Sequence, residues 1–313
     1  MLTKRTLGKT GLVVSSLGFG SSPIGFRESD PARAATLLHL LLDLGVNVID
    51  TGECYAAAED MIGNEISHRR DEYVLITKCG HKFSGADAED WSPQLIRQSV
   101  DRSLRRLRTE CIDVMLLHTC DMDILKKGDV MEVLIKAREH GKLRFIGFSG
   151  DNAEAAYAAT LPDISVIETS INIYDQSNFD SVLAPAVVRG LGVIAKRPIA
   201  NAVWRPLESL RGVEGGYERV RPYAERFRQM GLRLSGLGFG GPPEKSWLEL
   251  ALRFAISIPG VHTAVVGTRT PNYMQDNVMA AAKGPLPSTI VQALREAFRC
   301  AERQCGKKWP GIP

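Results

Sequence analysis

Eight short apolar runs, eight intervening stretches of helical periodicity and a length of 313 residues together predict an α/β fold, a (β/α)8 TIM barrel with an N-terminal β-hairpin and an extra C-terminal helix. The runs are rich in Val, Ile and Leu and are mostly apolar throughout, as in strands of a parallel sheet covered on both sides. Each crossover between parallel strands is right-handed and long enough for one helix. Closure into a barrel is the economical solution at this length, and a doubly wound open sheet is the alternative. At about 150 residues per domain, length alone suggests two domains. The βα rhythm instead uses residues 1–313 as a single barrel domain.

Thr3–Val14, with Gly8 and Gly11 around Lys9-Thr10, reads as a hairpin ahead of the barrel. The strand candidates follow as Ser16–Ser21, Val46–Asp50, Tyr73–Cys79, Ile112–His118, Leu143–Ser149, Ser165–Ser170, Gly192–Lys196 and Ala264–Gly267. The first helix, Pro31–Leu44, has Asp30 as N-cap, Pro31 at its first position and Gly45 as its stop. The others are Glu59–His68, Ser92–Leu107, Val130–His140, Ala153–Ala159, Asn178–Arg189, Lys245–Ile258 and Pro271–Ala282, with Pro287–Arg303 as the extra C-terminal helix. The connection 197–245 is rich in Gly and Pro, with one helix near Glu218–Met230. Connections of that length are usually functional.

Composition narrows the function classes. Hydrophobic residues make up 44% and charged residues 24%, which excludes a disordered or fibrous chain. With 39 basic and 36 acidic residues the net charge is +3, too weak to point to nucleic acid. No apolar stretch approaches the roughly 18 residues of a membrane span, and the start MLTKRTLGKTG lacks the apolar core of a signal peptide. The six cysteines are scattered, with no Cys-x-x-Cys pair and no zinc-finger spacing, so the chain reads as cytoplasmic with free thiols and no metal site.

In such barrels the chemistry sits at the C-terminal strand ends. Those ends are Asp50, Lys78, His118, Ser149, Glu168 and Lys196, with Arg269 just past the last strand, so seven of eight carry a polar or charged group. Ionisable residues directly after buried runs lose hydration unless they pair with one another, which favours one shared site over a solvated rim. Asp50 and Lys78 end adjacent strands and suit an ion pair in the barrel mouth. Tyr55 follows Asp50 by five residues. Beside an ammonium, its phenol pKa of about 10 is expected to fall towards the range of a general acid. His118 is placed to donate to a carbonyl oxygen from the opposite wall. Singly, these residues read as a structural ion pair, a packing tyrosine and a satisfied core histidine. Together they supply a proton donor, a cation that tunes it, an anion that holds the cation and an orienting imidazole.

The same residues carry a family resemblance. Asp50-Thr51-x-x-x-Tyr55, followed by Glu59 and Ile62-Gly63, resembles the signature of the aldo-keto reductase superfamily, with Lys78 in Ile-Thr-Lys and His118 in Leu-Leu-His at its other catalytic positions. The resemblance runs from the Leu7-Gly8-x-Thr-Gly-Leu hairpin through Asn277. It implies a barrel that binds an extended nicotinamide dinucleotide without a Rossmann domain and reduces a carbonyl by hydride transfer from it. It also implies Tyr55 as general acid, Lys78 held by Asp50 to lower the Tyr55 pKa, and His118 as the group that orients the carbonyl. Cofactor contacts are implied at Gly20, Ser149, Glu168, Lys196, Arg197, Gly267, Thr268, Arg269 and Asn277. The segment Gly267-Thr268-Arg269-Thr270-Pro271 resembles the adenosine-phosphate site, where helix-start amides, Thr268 and the Arg269 fork hold a 2′-phosphate. That favours NADP(H) over NAD(H), and a plain capped surface helix is the alternative.

Three positions depart from the pattern. Gly150 stands where the family has Asn, Glu168 where it has Gln, and Lys196 where an aromatic stacks on nicotinamide. A glutamate accepts from the carboxamide amine but cannot donate to its oxygen. The Lys196 stem covers a ring less well than an aromatic. Lys196-Arg197 reads equally as charge for the phosphates and as a solvated loop start. Gly236-Leu237-Gly238-Phe239-Gly240-Gly241 matches G-x-G-x-x-G but follows no convincing strand and runs into Pro242-Pro243. Phe26, Trp91 and Trp204 are candidates for an apolar substrate pocket.

The leading reading is an NADPH-dependent oxidoreductase acting on a small aldehyde or ketone. One alternative is an NADP(H)-binding regulatory or sensor protein on the same barrel, with weak or no turnover. Another is a Schiff-base enzyme with Lys78 as nucleophile, which an ion-paired, protonated lysine disfavours.

Overall fold

The computed structural model describes residues 1–26, 30–206 and 216–312, and in it eight parallel strands close into a barrel. An antiparallel hairpin, β1 (Lys4–Thr6) and β2 (Val13–Ser15), leads in. The barrel strands are β3 (Leu17–Gly20), β4 (Val48–Asp50), β5 (Val74–Cys79), β6 (Ile112–His118), β7 (Leu143–Ser149), β8 (Ile164–Ser170), β9 (Gly192–Lys196) and β10 (Thr263–Gly267). They pair in chain order, and β10 closes on β3 from Ala264–Leu17 to Gly267–Gly20, which excludes the open-sheet alternative.

The helices follow local rules with one exception. Asp30 accepts the Ala32 N–H at 3.0 Å and caps Pro31–Asp43 as its sequence suggests. The stretch Asn178–Arg189 is helical throughout, as its sequence predicts, with a π-turn at Phe179–Leu183 that runs directly into α-helix at Ala184–Arg189. The nitrogen of Pro185 carries no hydrogen for the regular ladder, and the π-turn just before it takes up that irregularity without ending the helix. The extra C-terminal helix is Ser288–Gln304, and a helix at Gly216–Met230 lies within the long connection.

Two apolar layers position the mouth. Inside the barrel, Val48, Ile76, Leu116, Val166, Ile194 and Val265 pack together, closed from below by Leu7, Leu12 and Val14 of the hairpin. Outside, residues such as Leu38, Ile62, Ile96, Leu134 and Leu250 fill the space between strands and helices. Side chains alternate across a strand. Two residues on from those six inward positions come Asp50, Lys78, His118, Glu168, Lys196 and Gly267. The apolar plug therefore ends one layer below a ring of polar groups. Among the described residues no helix is long and apolar enough to cross a membrane.

The chain after the last helix returns to this end of the barrel. Ile312 N donates to Asp175 Oδ2 at 2.9 Å, and the Arg197 guanidinium donates to Ile312 O at 2.7 Å. Arg226 donates to Pro310 O at 2.6 Å.

Gly63 lies in the helix Ala58–Ile66, where a Cβ would stand 2.0 Å from Arg106 O and 2.9 Å from Leu107 Cα of the neighbouring helix Pro93–Leu107. Overpacking of this kind costs about 1–3 kcal/mol. Gly63→Ala is expected to lower the unfolding free energy by about that amount, read as a lower urea midpoint with the slope of the transition unchanged.

Candidate active site

Lys78 stands at the centre of the mouth with 1% of its surface exposed. Its Nζ donates to Asp50 Oδ1 at 2.6 Å and to Thr51 O at 2.9 Å, and lies 3.7 Å from Glu168 Oε2. Glu168 Oε1 accepts from the Ser149 hydroxyl at 3.0 Å, whereas the buried Oε2 receives no hydrogen bond. Burial opposes the Lys78 charge, but Asp50, Glu168 and Tyr55 outweigh it and hold the ammonium well above its ordinary pKa. Burial and the Glu168 charge push the Asp50 carboxyl well above its ordinary range, against the pull of Lys78.

Tyr55 sits on the turn between β4 and the helix Ala58–Ile66. This turn is tied down from several sides. Glu53 Oε1 accepts the Gly80 N–H at 3.0 Å, and Arg106 donates to Glu59 at 3.1 Å and to the Ala56 carbonyl. Glu59 also accepts from the Thr77 hydroxyl at 2.8 Å. The signature glutamate is therefore a strut beneath the turn. Lys78 Nζ lies 5.1 Å from the centre of the Tyr55 ring. The sequence predicts a lowered Tyr55 pKa, but the structure places it above the ordinary value. Burial is the largest cause, Lys78 pulls it down, and Asp50 and Glu168 push it back up. The lysine charge is already matched by two carboxyls, so little of it is left to stabilise a phenolate.

His118 packs edge-on to Tyr55, with ring centres 6.0 Å apart, and its Nδ1 lies 3.5 Å from Cys54 Sγ. His81 joins it at 5.3 Å, with Nε2 3.1 Å from the Thr119 hydroxyl, and Trp91 packs on His81 at 5.4 Å. Gly80 makes this wall possible, because at its φ of +130° a Cβ would fall 2.1 Å from the Trp91 ring. The sequence analysis does not single out His81 and Thr119. The available signal was position, since His81 follows Lys78 by three residues and Thr119 follows His118 directly.

The structure gathers Asp50, Tyr55, Lys78, His118, Ser149 and Glu168 in one mouth. Gly20 and Gly267 pair at the ends of β3 and β10, leaving that edge without side chains. Thr268 Oγ1 accepts the Thr270 N–H at 3.1 Å and shapes the entry to the helix Pro271–Ala282, with Arg269 exposed and Asn277 buried. Lys196 and Arg197 are not a solvated loop start. Lys196 Nζ pairs with Asp151 Oδ2 at 2.9 Å, and Arg197 is directed at Ile312 O. Asp151 further accepts from the Thr169 hydroxyl at 2.9 Å, Ser170 N at 2.7 Å and Asn178 at 2.8 Å. Of the pocket aromatics, Trp91 faces the site, Phe26 is half-buried after the turn Ser22–Gly25, and Trp204 stacks on Trp247 at 6.2 Å. Among the described residues no cluster of three His, Cys, Asp or Glu side chains is arranged to hold a metal.

The model of the aldo/keto reductase family matches residues 16–299. L-galactose dehydrogenase of Arabidopsis thaliana is 25% identical over 320 residues, covering 98% of this chain and 96% of that protein. The 6-dehydroglucose reductase of Novosphingobium aromaticivorans is 29% identical over 218 residues, covering 63% of this chain and 69% of its own. The holo form of an aldo-keto reductase from Bacillus halodurans superposes with a TM-score of 0.78 at 26% identity, covering 95% of this chain and 96% of that structure.

Glu53, which holds the Gly80 N–H, has a measurable pH signature. Burial is the main cause that raises its carboxyl from 4.5 to about 7. The folded state then binds more protons than the unfolded state between those values, so this group's contribution to stability falls as pH rises through that window. Glu53→Gln removes the effect. Relative to wild type, the variant is expected to gain up to about 3 kcal/mol between about pH 5 and about pH 8, read from urea denaturation at both.

Proposed function

The chain belongs to the aldo/keto reductase family, and on that premise we propose that it reduces an aldehyde or ketone to an alcohol with NADPH, Tyr55 giving the proton. The observation that carries this reading is the convergence of Tyr55, the Lys78–Asp50 pair at 2.6 Å and His118 in one barrel mouth. Bound NADPH would supply the hydride. Tyr55, a phenol that is protonated at neutral pH, donates to the carbonyl oxygen as charge builds there. His118 holds that oxygen from the other side, and Lys78 faces the phenolate that is left.

The residues present suit the cofactor. Glu168 Oε2, buried without a hydrogen-bond donor, is the acceptor that a carboxamide amine fits, beside the Ser149 hydroxyl. Gly20, Gly267, Thr268 and Asn277 are assigned to the adenosine end, with Arg269 on the 2′-phosphate, which favours NADP(H) over NAD(H). Lys196 and Arg197 shape the mouth through Asp151 and the C-terminal tail. Residues 1–313 form one domain in this reading, with the described parts of the long connection, 197–206 and 216–245, assigned to the cofactor and substrate side; 207–215 lie outside the described residues.

The substrate class follows from the wall beyond Tyr55. His81, His118 and Thr119 offer polar contacts beside the flat face of Trp91, an arrangement suited to a hydroxylated carbonyl compound. The sugar names of two relatives agree with it. A sensor that binds NADP(H) without turnover is the second reading, supported by the departures at Gly150, Glu168 and Lys196.

Loss of nicotinamide absorbance with NADPH and a panel of aldehydes tests the proposal. Tyr55→Phe is expected to lower kcat by about 10²–10⁴, and turnover that survives it would sink the mechanism. Tight NADPH binding with no carbonyl turned over would favour the sensor. Arg269→Ala is expected to raise the KM for NADPH about tenfold, the loss of one charge-assisted contact, and to leave that for NADH unchanged.

A further inference from the structure

We propose that Glu168 turns the Lys78 ion pair into a proton store: Asp50 and Glu168 share one proton behind Tyr55, and that proton refills the tyrosine after each turnover. The proposal rests on the reductase reading for its second half only.

Three ionisable groups are enclosed together. Asp50 is 5%, Lys78 1% and Glu168 3% exposed. Asp50 comes from β4, Lys78 from β5 and Glu168 from β8. The groups around them are the Ser149 hydroxyl from β7, Tyr55 and Cys54 from the turn after β4, and His118 of β6 beyond the Tyr55 ring. Lys196 at the end of β9 is turned to Asp151. Among the described residues, Lys78 is the cation paired with either carboxyl. With all three ionised, the cluster would bury an unmatched negative charge, which a shared proton removes. The geometry leaves a place for it. Asp50 holds the ammonium at 2.6 Å, while Glu168 Oε2 stands back at 3.7 Å with no hydrogen bond of its own. The raised Asp50 carboxyl agrees, since burial is its largest cause and the Glu168 charge the next. The proton belongs to the pair rather than to one residue. The glutamine of the family pattern has no carboxyl to share one.

In turnover the Tyr55 proton goes to the carbonyl oxygen as hydride from NADPH reaches the carbon. The phenolate takes a proton from the Lys78 ammonium. The Lys78 amine takes the proton shared by Asp50 and Glu168, and solvent refills the pair. One solvent proton enters per alcohol formed. Glu168 thus acts through Lys78 as a positioning residue for the proton supply.

Infrared difference spectra of the cofactor-free protein test the shared proton. The carbonyl stretch of a protonated carboxyl, shifted in D2O, is expected in wild type minus Glu168→Gln and again in wild type minus Asp50→Asn. Glu53 and Asp175, two further carboxyls that burial raises to about 7 and about 6, are present in all three proteins and cancel. With both variants folded by circular dichroism, the absence of this band from both difference spectra overturns the proposal, and Asp50→Asn decides it if Glu168→Gln does not fold. The relay is tested by the pH profile of kcat. Wild-type kcat is expected to fall as rising pH empties the pair, and Glu168→Gln is expected to move that limb by at least about one pH unit. A superposable profile overturns the relay. If wild type turns over no carbonyl, the reductase reading fails while the infrared result still decides the shared proton.

Discussion

A single enclosed cation organises the mouth of this barrel. Lys78 has lost nearly all its hydration, and it is kept charged by Asp50, by the Thr51 carbonyl and by Glu168. Asp50 and Thr51 come from the neighbouring strand and the residue after it, but Glu168 comes from β8, which is not adjacent to β5 in the sheet order. All three partners therefore meet the cation only when β4, β5 and β8 face one another around the barrel. A buried ion pair contributes little net stability compared with apolar packing, yet losing one partner is strongly destabilising. The cluster thus penalises any arrangement in which β4, β5 and β8 fail to converge.

A second shell of ionic contacts fixes the rim around that centre. Arg106 binds Glu59 and Asp60, and Glu59 binds Thr77, which joins the turn carrying Tyr55 to the helix Pro93–Leu107 and to β5. On the far side Asp151 collects Lys196, Thr169, Ser170 and Asn178, while Arg197 and Arg226 hold the carbonyls of the C-terminal tail. A net charge of +3 does not produce a basic cradle here, because two of the cations that the sequence places at the mouth are directed into the protein itself. Arg269 stays exposed at the edge between β3 and β10, where Gly20 and Gly267 leave the wall bare.

Much of this architecture was legible in local chemistry. The strands β6, β7 and β9 end where their apolar runs end, and Asp30-Pro31 starts its helix where a capping aspartate and a first-turn proline predict. The polar strand ends also met as expected, since side chains two residues past a buried inward layer must face the same mouth. The helix at 178–189 follows its periodicity too, but the π-turn ahead of Pro185 is not written in that pattern. The Tyr55 pKa departs from the sequence expectation because burial, Asp50 and Glu168 outweigh the pull of the lysine.

What the sequence alone determined is the barrel, the membership of the polar ring and the pairing of Asp50 with Lys78, because alternation and strand order follow from local pattern. Tertiary structure decided the rest. Glu168 reaches Lys78 across the barrel, His81 and Trp91 form a wall beside His118, and Lys196 and Arg197 turn to Asp151 and the tail. These contacts join residues far apart in the chain. They depend on the curvature of a closed sheet and on which charges lose their water, and neither is written in the spacing of residues along one strand.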